Sequence, residues 1–223
     1  MQSLPEVLRL SPEDALSFLV NNIEALPADE RIVVGIAGGP GVGKSTIAGQ
    51  LVAALNARRP HSAAYVPMDG FHMRHAKLEA LGTAKDKGAP HTFEGEAFAE
   101  FLRGLKAATG PVHGPGYSRA IEDVVEDQFT VAPEARVLVT EGNYLLLANS
   151  PWWHVRPLLD YAAYLDVPRE KVRARLLKRH AEHGLFSEQR NREHVERVDL
   201  ANYDLVGHSR GRADVVIELV TEK

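Results

Sequence analysis

The chain has no cysteine among its 223 residues. Disulfides, thiolate nucleophiles and cysteine-ligated metals are therefore excluded, and the composition fits a reducing compartment. Long apolar runs are missing too. No stretch approaches the ~18 uncharged apolar residues of a membrane span. The opening MQSLPEVLRLSPEDA has acids and a proline where a signal peptide needs a basic segment and an apolar block, so a cytoplasmic location is expected. A basic surplus is also absent. The formal net charge is −4 and the pI is near 6.2, which argues against a nucleic-acid groove or a membrane-binding face.

What remains is ordinary globular material, 44% apolar and 25% charged, and it is long enough for a sizeable core. We expect one domain over residues 1–223. Ser11-Pro12-Glu13-Asp14 is a helix start with a hydroxyl cap and proline in the first turn, and an apolar stripe carries this helix over about 12–26. Apolar runs at 31–37, 63–68, 136–140, 162–167 and 213–220 read as strands. Helical patterns cover 44–58, 92–108, 151–159, 169–182 and 187–201. Residues 110–119 read as a proline- and glycine-rich loop. Strands and helices alternate, which predicts an α/β three-layer sandwich with a mainly parallel central sheet. Two charged segments, about 74–91 and 175–192, read as lid-like inserts.

Gly38-Gly39-Pro40-Gly41-Val42-Gly43-Lys44-Ser45-Thr46 fits the spacing G-x-x-x-x-G-K-S between an apolar strand and a helix. Glycines let backbone N–H groups wrap phosphate oxygens, and the helix start adds free donors and its dipole. Lys44 should reach the outer phosphates of a nucleoside triphosphate, and Ser45 should hold Mg²⁺. A dinucleotide fingerprint does not fit, because its third glycine would fall on Lys44. The predicted fold class is therefore a P-loop NTPase sandwich with a helical lid.

Asp69 and Glu141 each end an apolar strand, on the side where such sheets bind ligands. One carboxylate is needed beside Mg²⁺, and a second can accept the proton of an attacking hydroxyl. We assign Asp69 as the base and Glu141 to the metal. Spacing alone leaves the two exchangeable, and either could instead cap the next helix.

Together these segments resemble the P-loop kinases that include uridine kinase, phosphoribulokinase and bacterial-type pantothenate kinase. The nearest resemblance is to a nucleoside/nucleotide kinase-like branch described as fructose-transport-associated or fructokinase-like. The matching pieces are GIAGGPGVGKST, VPMDGFHM, KDKGAPHTF, GPGYSR, VLVTEGNYLLL, RLLKRH and VDLANYDLV, spanning about residues 30–220. The resemblance implies ATP and Mg²⁺ as cofactors, Asp69 as base and Glu141 on the Mg²⁺ side. It implies that Tyr117 and Arg119 touch the acceptor, and that Arg175 and Arg179 lie on a lid helix closing over ATP. It also suggests that Arg210 borders the adenine, in a loop that a polar turn explains nearly as well. Phe71 and His72 join the substrate-side set, with a core plug as the plain alternative for Phe71 and a backbone bond for His72. A homodimer is common in the family, and the sequence does not establish one.

The ten histidines show no H-E-x-x-H spacing. His72/His75 and His180/His183 lack a third ligand at suitable spacing, so no structural zinc site is expected. No N-K-x-D guanine motif is present, which counts against a GTPase switch. The expected function is transfer of the γ-phosphoryl group of ATP to an alcohol of a small metabolite, with a sugar as best guess. A nucleoside or pantothenate is the alternative acceptor, and a non-kinase P-loop ATPase or GTPase switch the alternative class.

Overall fold

A computed structural model describes residues 4–27, 30–183 and 187–220. Six strands form one parallel sheet: β1 (Glu6–Leu10), β2 (Ile32–Ala37), β3 (Ala63–Pro67), β6 (Val137–Gly142), β7 (Tyr161–Asp166) and β8 (Val215–Leu219). Their order is β1-β8-β7-β2-β6-β3. Strands β4 (Val112–Ser118) and β5 (Asp123–Val131) pair antiparallel as a separate hairpin.

Every residue of β2 and β6 is buried, because helices cover both faces of the sheet. Alternate side chains divide between two cores. Val34, Ile36 and Val139 pack with helices α1 (Pro12–Glu24) and α2 (Lys44–Arg58). Val33 and Leu138 pack on the opposite face with Phe98, Leu102 and Leu105 of α4 (Gly95–Ala107) and with Tyr144 and Trp152. A short helix, α3 (His75–Ala80), precedes α4. The C-terminal part contains α5 (Arg169–His183), α6 (Glu188–His194), a π-helical turn (Val195–Asp199) and α7 (Leu200–Gly207).

The three-layer architecture with a parallel sheet agrees with the sequence reading, and several elements differ from it. Ser11 caps α1, accepting a hydrogen bond from the Asp14 N–H at 3.1 Å. The residues before it, to which the sequence reading assigns no element, form β1 on the sheet edge beside β8. The expected loop at 110–119 is half of the β4–β5 hairpin, and the helix expected over 151–159 is two 3₁₀ turns. The single helix expected over 187–201 is α6 and the π turn, and helical structure continues through α7. Gly184, a residue that would break the helix expected over 169–182, lies outside the described residues.

All six sheet strands run the same way, so the segments leaving β2, β3, β6 and β7 emerge at one edge. The candidate site stands there.

Candidate active site

A cleft of about 1170 Å³ opens at this edge. Its floor is the loop between β2 and α2. Gly43 caps α2 at φ 102°, a left-handed conformation that L side chains rarely adopt, so only glycine enters the helix this way without strain. Pro40, Gly41, Gly43, Lys44, Ser45 and Thr46 line the cleft. Gly38, Gly39 and Val42 lie behind them, and a side chain at Gly39 would collide with Tyr203 at 2.6 Å.

Lys44 is only 7% exposed. Its Nζ donates to the Gly39 carbonyl at 2.8 Å and to Asn143 Oδ1 at 2.7 Å. Burial pushes its pKa down, and the charges of Glu141 and Asp69 pull it back up. Glu141 is 4% exposed and accepts hydrogen bonds on Oε1 from Ser45 Oγ at 3.1 Å and Tyr65 OH at 2.9 Å. Burial raises its pKa first and the Asp69 charge second, against the opposing pull of Lys44 and the two hydroxyl donors. Asn143 and Tyr65 were missed in the sequence. Asn143 stands inside the E-G-N-Y motif that carried the resemblance, and that position was its signal.

Asp69 sits in the 3₁₀ turn Met68–Phe71 that follows β3. The hairpin presses on this turn so closely that a Cβ at Gly70 would lie 1.9 Å from the Pro115 carbonyl oxygen. The close approach explains the glycine after the carboxylate. Arg119, just past β4, brings Nη2 to 3.8 Å from Asp69 Oδ2. Asp69, Glu141, Ser45, Tyr117 and Arg119 also line a recess of about 360 Å³ that extends toward the hairpin. Both carboxylates thus share one cavity with the glycine-rich loop.

Residues 33–223 match the Phosphoribulokinase / Uridine kinase family. The chain belongs to that family. It is 36% identical over 203 residues to a Schizosaccharomyces pombe protein provisionally named a uridine kinase, covering 88% of this chain and 86% of that one. A crystal structure from Silicibacter sp. TM1040, provisionally described as a fructose transport system kinase, superposes with TM-score 0.82 at 36% identity, covering 90% of this chain and 98% of that one. A pantothenate kinase of Latilactobacillus sakei is 30% identical over 159 residues, which are 70% of this chain and 52% of the relative. The chain is accordingly an ATP-dependent P-loop kinase of a small metabolite.

The remaining expected residues of the kinase divide into those that reach the cleft and those that do not. His72 and Tyr117 reach it. His72 Nδ1 donates to the Asp69 carbonyl at 2.8 Å, and its ring packs on Phe93 and Tyr117 at centroid distances of 3.8 and 4.6 Å. Burial lowers the His72 pKa, opposed by the Asp69 charge and the bond to its carbonyl. Burial raises the pKa of the Tyr117 hydroxyl, and Lys87 Nζ stands over the Tyr117 ring, 5.2 Å from its centre.

Arg175 and Arg179 line the cleft from α5. Arg175 Nη1 lies 3.4 Å from the Gly41 carbonyl oxygen, and Arg179 Nε is buried without a hydrogen-bond partner among the described residues. Burial and then the nearby Arg119 charge lower the Arg179 pKa. Two expected residues do not line the cleft. Phe71 is buried in the core on Phe98 and Phe101, at 5.1 and 5.3 Å, rather than walling the substrate. A 3₁₀ turn repeats every three residues and sends its ring away from the face of Asp69. Arg210 pairs with Asp166 at 3.1 Å and does not line the cleft, because the turn Arg210–Arg212 directs it back to the end of β7.

Proposed function

We propose that this kinase transfers the γ-phosphoryl group of Mg²⁺-bound ATP to a hydroxyl of a sugar or sugar-like metabolite. The single observation that carries the reading is the pair Asp69 and Glu141 facing one cavity, with Lys44 and Ser45 on its floor.

In this reading Lys44 and the backbone N–H groups at the start of α2 hold the outer phosphates. Ser45 Oγ and Glu141 supply hard oxygen donors, the type Mg²⁺ takes, and Glu141 is already aimed at Ser45. When bound there, Mg²⁺ neutralises phosphate charge. Asp69 orients the acceptor hydroxyl and accepts its proton. Transfer passes through a loose transition state in which orientation of the hydroxyl by Asp69 counts for more than basicity. Arg179, with a donor unused within the described protein, and Arg175 stabilise the equatorial oxygens of the moving group. Closure of α5 over the cleft excludes water, the competing nucleophile.

Tyr117, Arg119 and His72 form the acceptor wall. His72 spends its Nδ1 on the Asp69 carbonyl and its ring on Phe93 and Tyr117, so it positions Asp69 and Tyr117 while Arg119 and Lys87 offer free donor capacity to hydroxyls. The pattern of several polar donors beside a flat ring suits a polyol. The related protein provisionally described as a fructose transport system kinase supports the same choice.

The test is a panel of sugars, sugar phosphates, nucleosides and pantothenate offered with Mg²⁺ and ATP, reading acceptor-dependent ADP release. A sugar should give the highest kcat/KM. Asp69→Asn should lower transfer by roughly 10²–10⁴-fold while ATP affinity stays nearly unchanged. Undiminished transfer in that variant overturns the base, and a nucleoside or pantothenate outrunning every sugar overturns the acceptor.

A further inference from the structure

Three side chains on the lid side of the cleft converge in a way the phosphoryl transfer does not use. His180 on α5, His194 at the end of α6 and Asp199 at the end of the π turn bring one ligand atom each to within 4.8 Å of one another. All three line the cleft. His180 Nε2 is 2.9 Å from Asp199 Oδ2. His194 has no hydrogen-bond partner among the described residues; its ring stands edge-on to His180 at 5.4 Å. Burial holds the His194 pKa below the ordinary value of 6.5, which keeps a nitrogen lone pair free at neutral pH.

The backbone points to the same place. On a regular α-helix, residues five apart are rotated by roughly 140° from one another. The π turn Val195–Asp199 has wider turns, with i→i+5 bonding, and so brings positions 194 and 199 to one face. Such a turn interrupts regular helical bonding and is frequent at functional sites.

We propose that His180, His194 and Asp199 form a binding site for a borderline divalent cation of the zinc class, with its open coordination position toward the cleft. Two imidazoles and a carboxylate suit such a cation and disfavour Mg²⁺, which takes oxygen. Tetrahedral zinc needs its donor atoms about 3.3 Å apart, so the cluster closes by side-chain rotation. His180 ligates through Nε2 in the tautomer that carries its hydrogen on Nδ1, and gives up its bond to Asp199 in the process. Sequence spacing missed the site because its third ligand comes from the π turn.

A bound cation ties α5, which carries Arg175 and Arg179, to a segment already fixed on the acceptor side. There Arg197 bonds Asp86 Oδ1 at 2.8 Å and the Lys85 carbonyl at 2.7 Å. The cation therefore restrains the lid arginines. The site itself stands on ligand geometry and does not depend on the identity of the acceptor.

The experiment titrates the chelator-stripped full chain with Zn²⁺ by calorimetry and with Co²⁺ by visible absorption, with Mg²⁺ in excess. We expect one equivalent bound, a tetrahedral Co²⁺ spectrum, and slowed amide exchange over 169–183 and 188–199. His194→Gln, which has no hydrogen bond to lose, should weaken binding tenfold or more, since even outer partners of a metal are worth about that much. His180→Gln should do the same. Absence of saturable binding, or a loss of less than tenfold in His194→Gln with circular dichroism unchanged, overturns the site.

Discussion

On the phosphate wall of the cleft, Lys44 and Glu141 are 7% and 4% exposed and are held by bonds of 2.7–3.1 Å to Asn143, Gly39, Ser45 and Tyr65. On the facing wall, the side chains of Arg119 and Arg197 are 52% and 53% exposed, and Arg119 meets Asp69 only at 3.8 Å. The first wall is made of strand ends and the loops that leave them, so the sheet fixes its geometry before any nucleotide arrives. Preorganised charge of this kind acts on a transition state without reorganising. The second wall is made of a hairpin and inserted helices held by exposed ion pairs, each worth about 0–1 kcal/mol. Such contacts yield to a substrate at little cost. In the proposed reading, the triphosphate end is thus built rigid, and the acceptor end adjustable.

The contrast is sharpest within α5. Arg179 lines the cleft with its Nε buried and without a hydrogen-bond partner among the described residues, whereas Arg173 is bonded to Glu196 at 2.5 Å. Arg179→Gln should lower kcat by roughly 10²–10³-fold, the effect of removing one preorganised donor from developing charge. Arg173→Gln should leave kcat unchanged and cost at most about 1 kcal/mol of stability. Steady-state kinetics on both variants decides the matter. Equal losses in the two would mean that α5 contributes only its overall charge, and the distinction between fixed and adjustable groups would fail on this helix.

A smaller effect tests the seam where the two walls meet. At Gly70 the hairpin backbone leaves no room for a methyl group, with Pro115 O 1.9 Å from the ideal Cβ position. Backbone cannot rotate aside as a side chain can. Gly70→Ala should therefore destabilise by about 1–3 kcal/mol in chemical denaturation. It should also lower kcat, because Asp69 is the neighbouring residue in the same turn. A variant with wild-type stability would show that the hairpin rides loosely on the turn, and that the adjustable wall extends as far as Asp69.

The same division decided what could be read from the sequence. The glycine-rich loop, Lys44, Asp69 and Glu141 were legible because strand, loop and helix are contiguous, and a parallel sheet sends all their ends to one edge. The hairpin was not legible. Val112–Ser118 contains Gly114, Pro115 and Gly116, residues that signal a loop, and the exposed run Glu126, Asp127 and Gln128 interrupts the apolar pattern of β5. β1 escaped because it pairs on one side only, with β8, and is too short for a periodic signal. Phe71 stands two residues from Asp69 in sequence, yet the turn between them sends one to the cleft and the other to the core. Arg210 was placed by resemblance of a loop, and the partner that holds it, Asp166, lies on another strand.

The smallest expected effect concerns pH and the acceptor wall. His72 has its native pKa below the ordinary 6.5 because burial outweighs the attraction of Asp69. Above that value both folded and unfolded chains carry it neutral. As pH falls through 6.5 the unfolded chain takes up a proton that the folded chain refuses, so stability is lost until the native pKa is passed. The slope from this one group is at most about 1.4 kcal/mol per pH unit. His194, also held low by burial, adds a term of the same sign. Glu141 acts oppositely: its raised pKa makes the folded chain the better proton acceptor above 4.5, so acid strengthens that part of the structure. Melting temperatures of wild type and His72→Phe between pH 7 and 5 should show a shallower decline in the variant, whose ring keeps the packing on Phe93 and Tyr117 and titrates nothing. Parallel curves would mean that His72 accepts a proton in place, and that the wall around it opens to water as readily as the arginines beyond it.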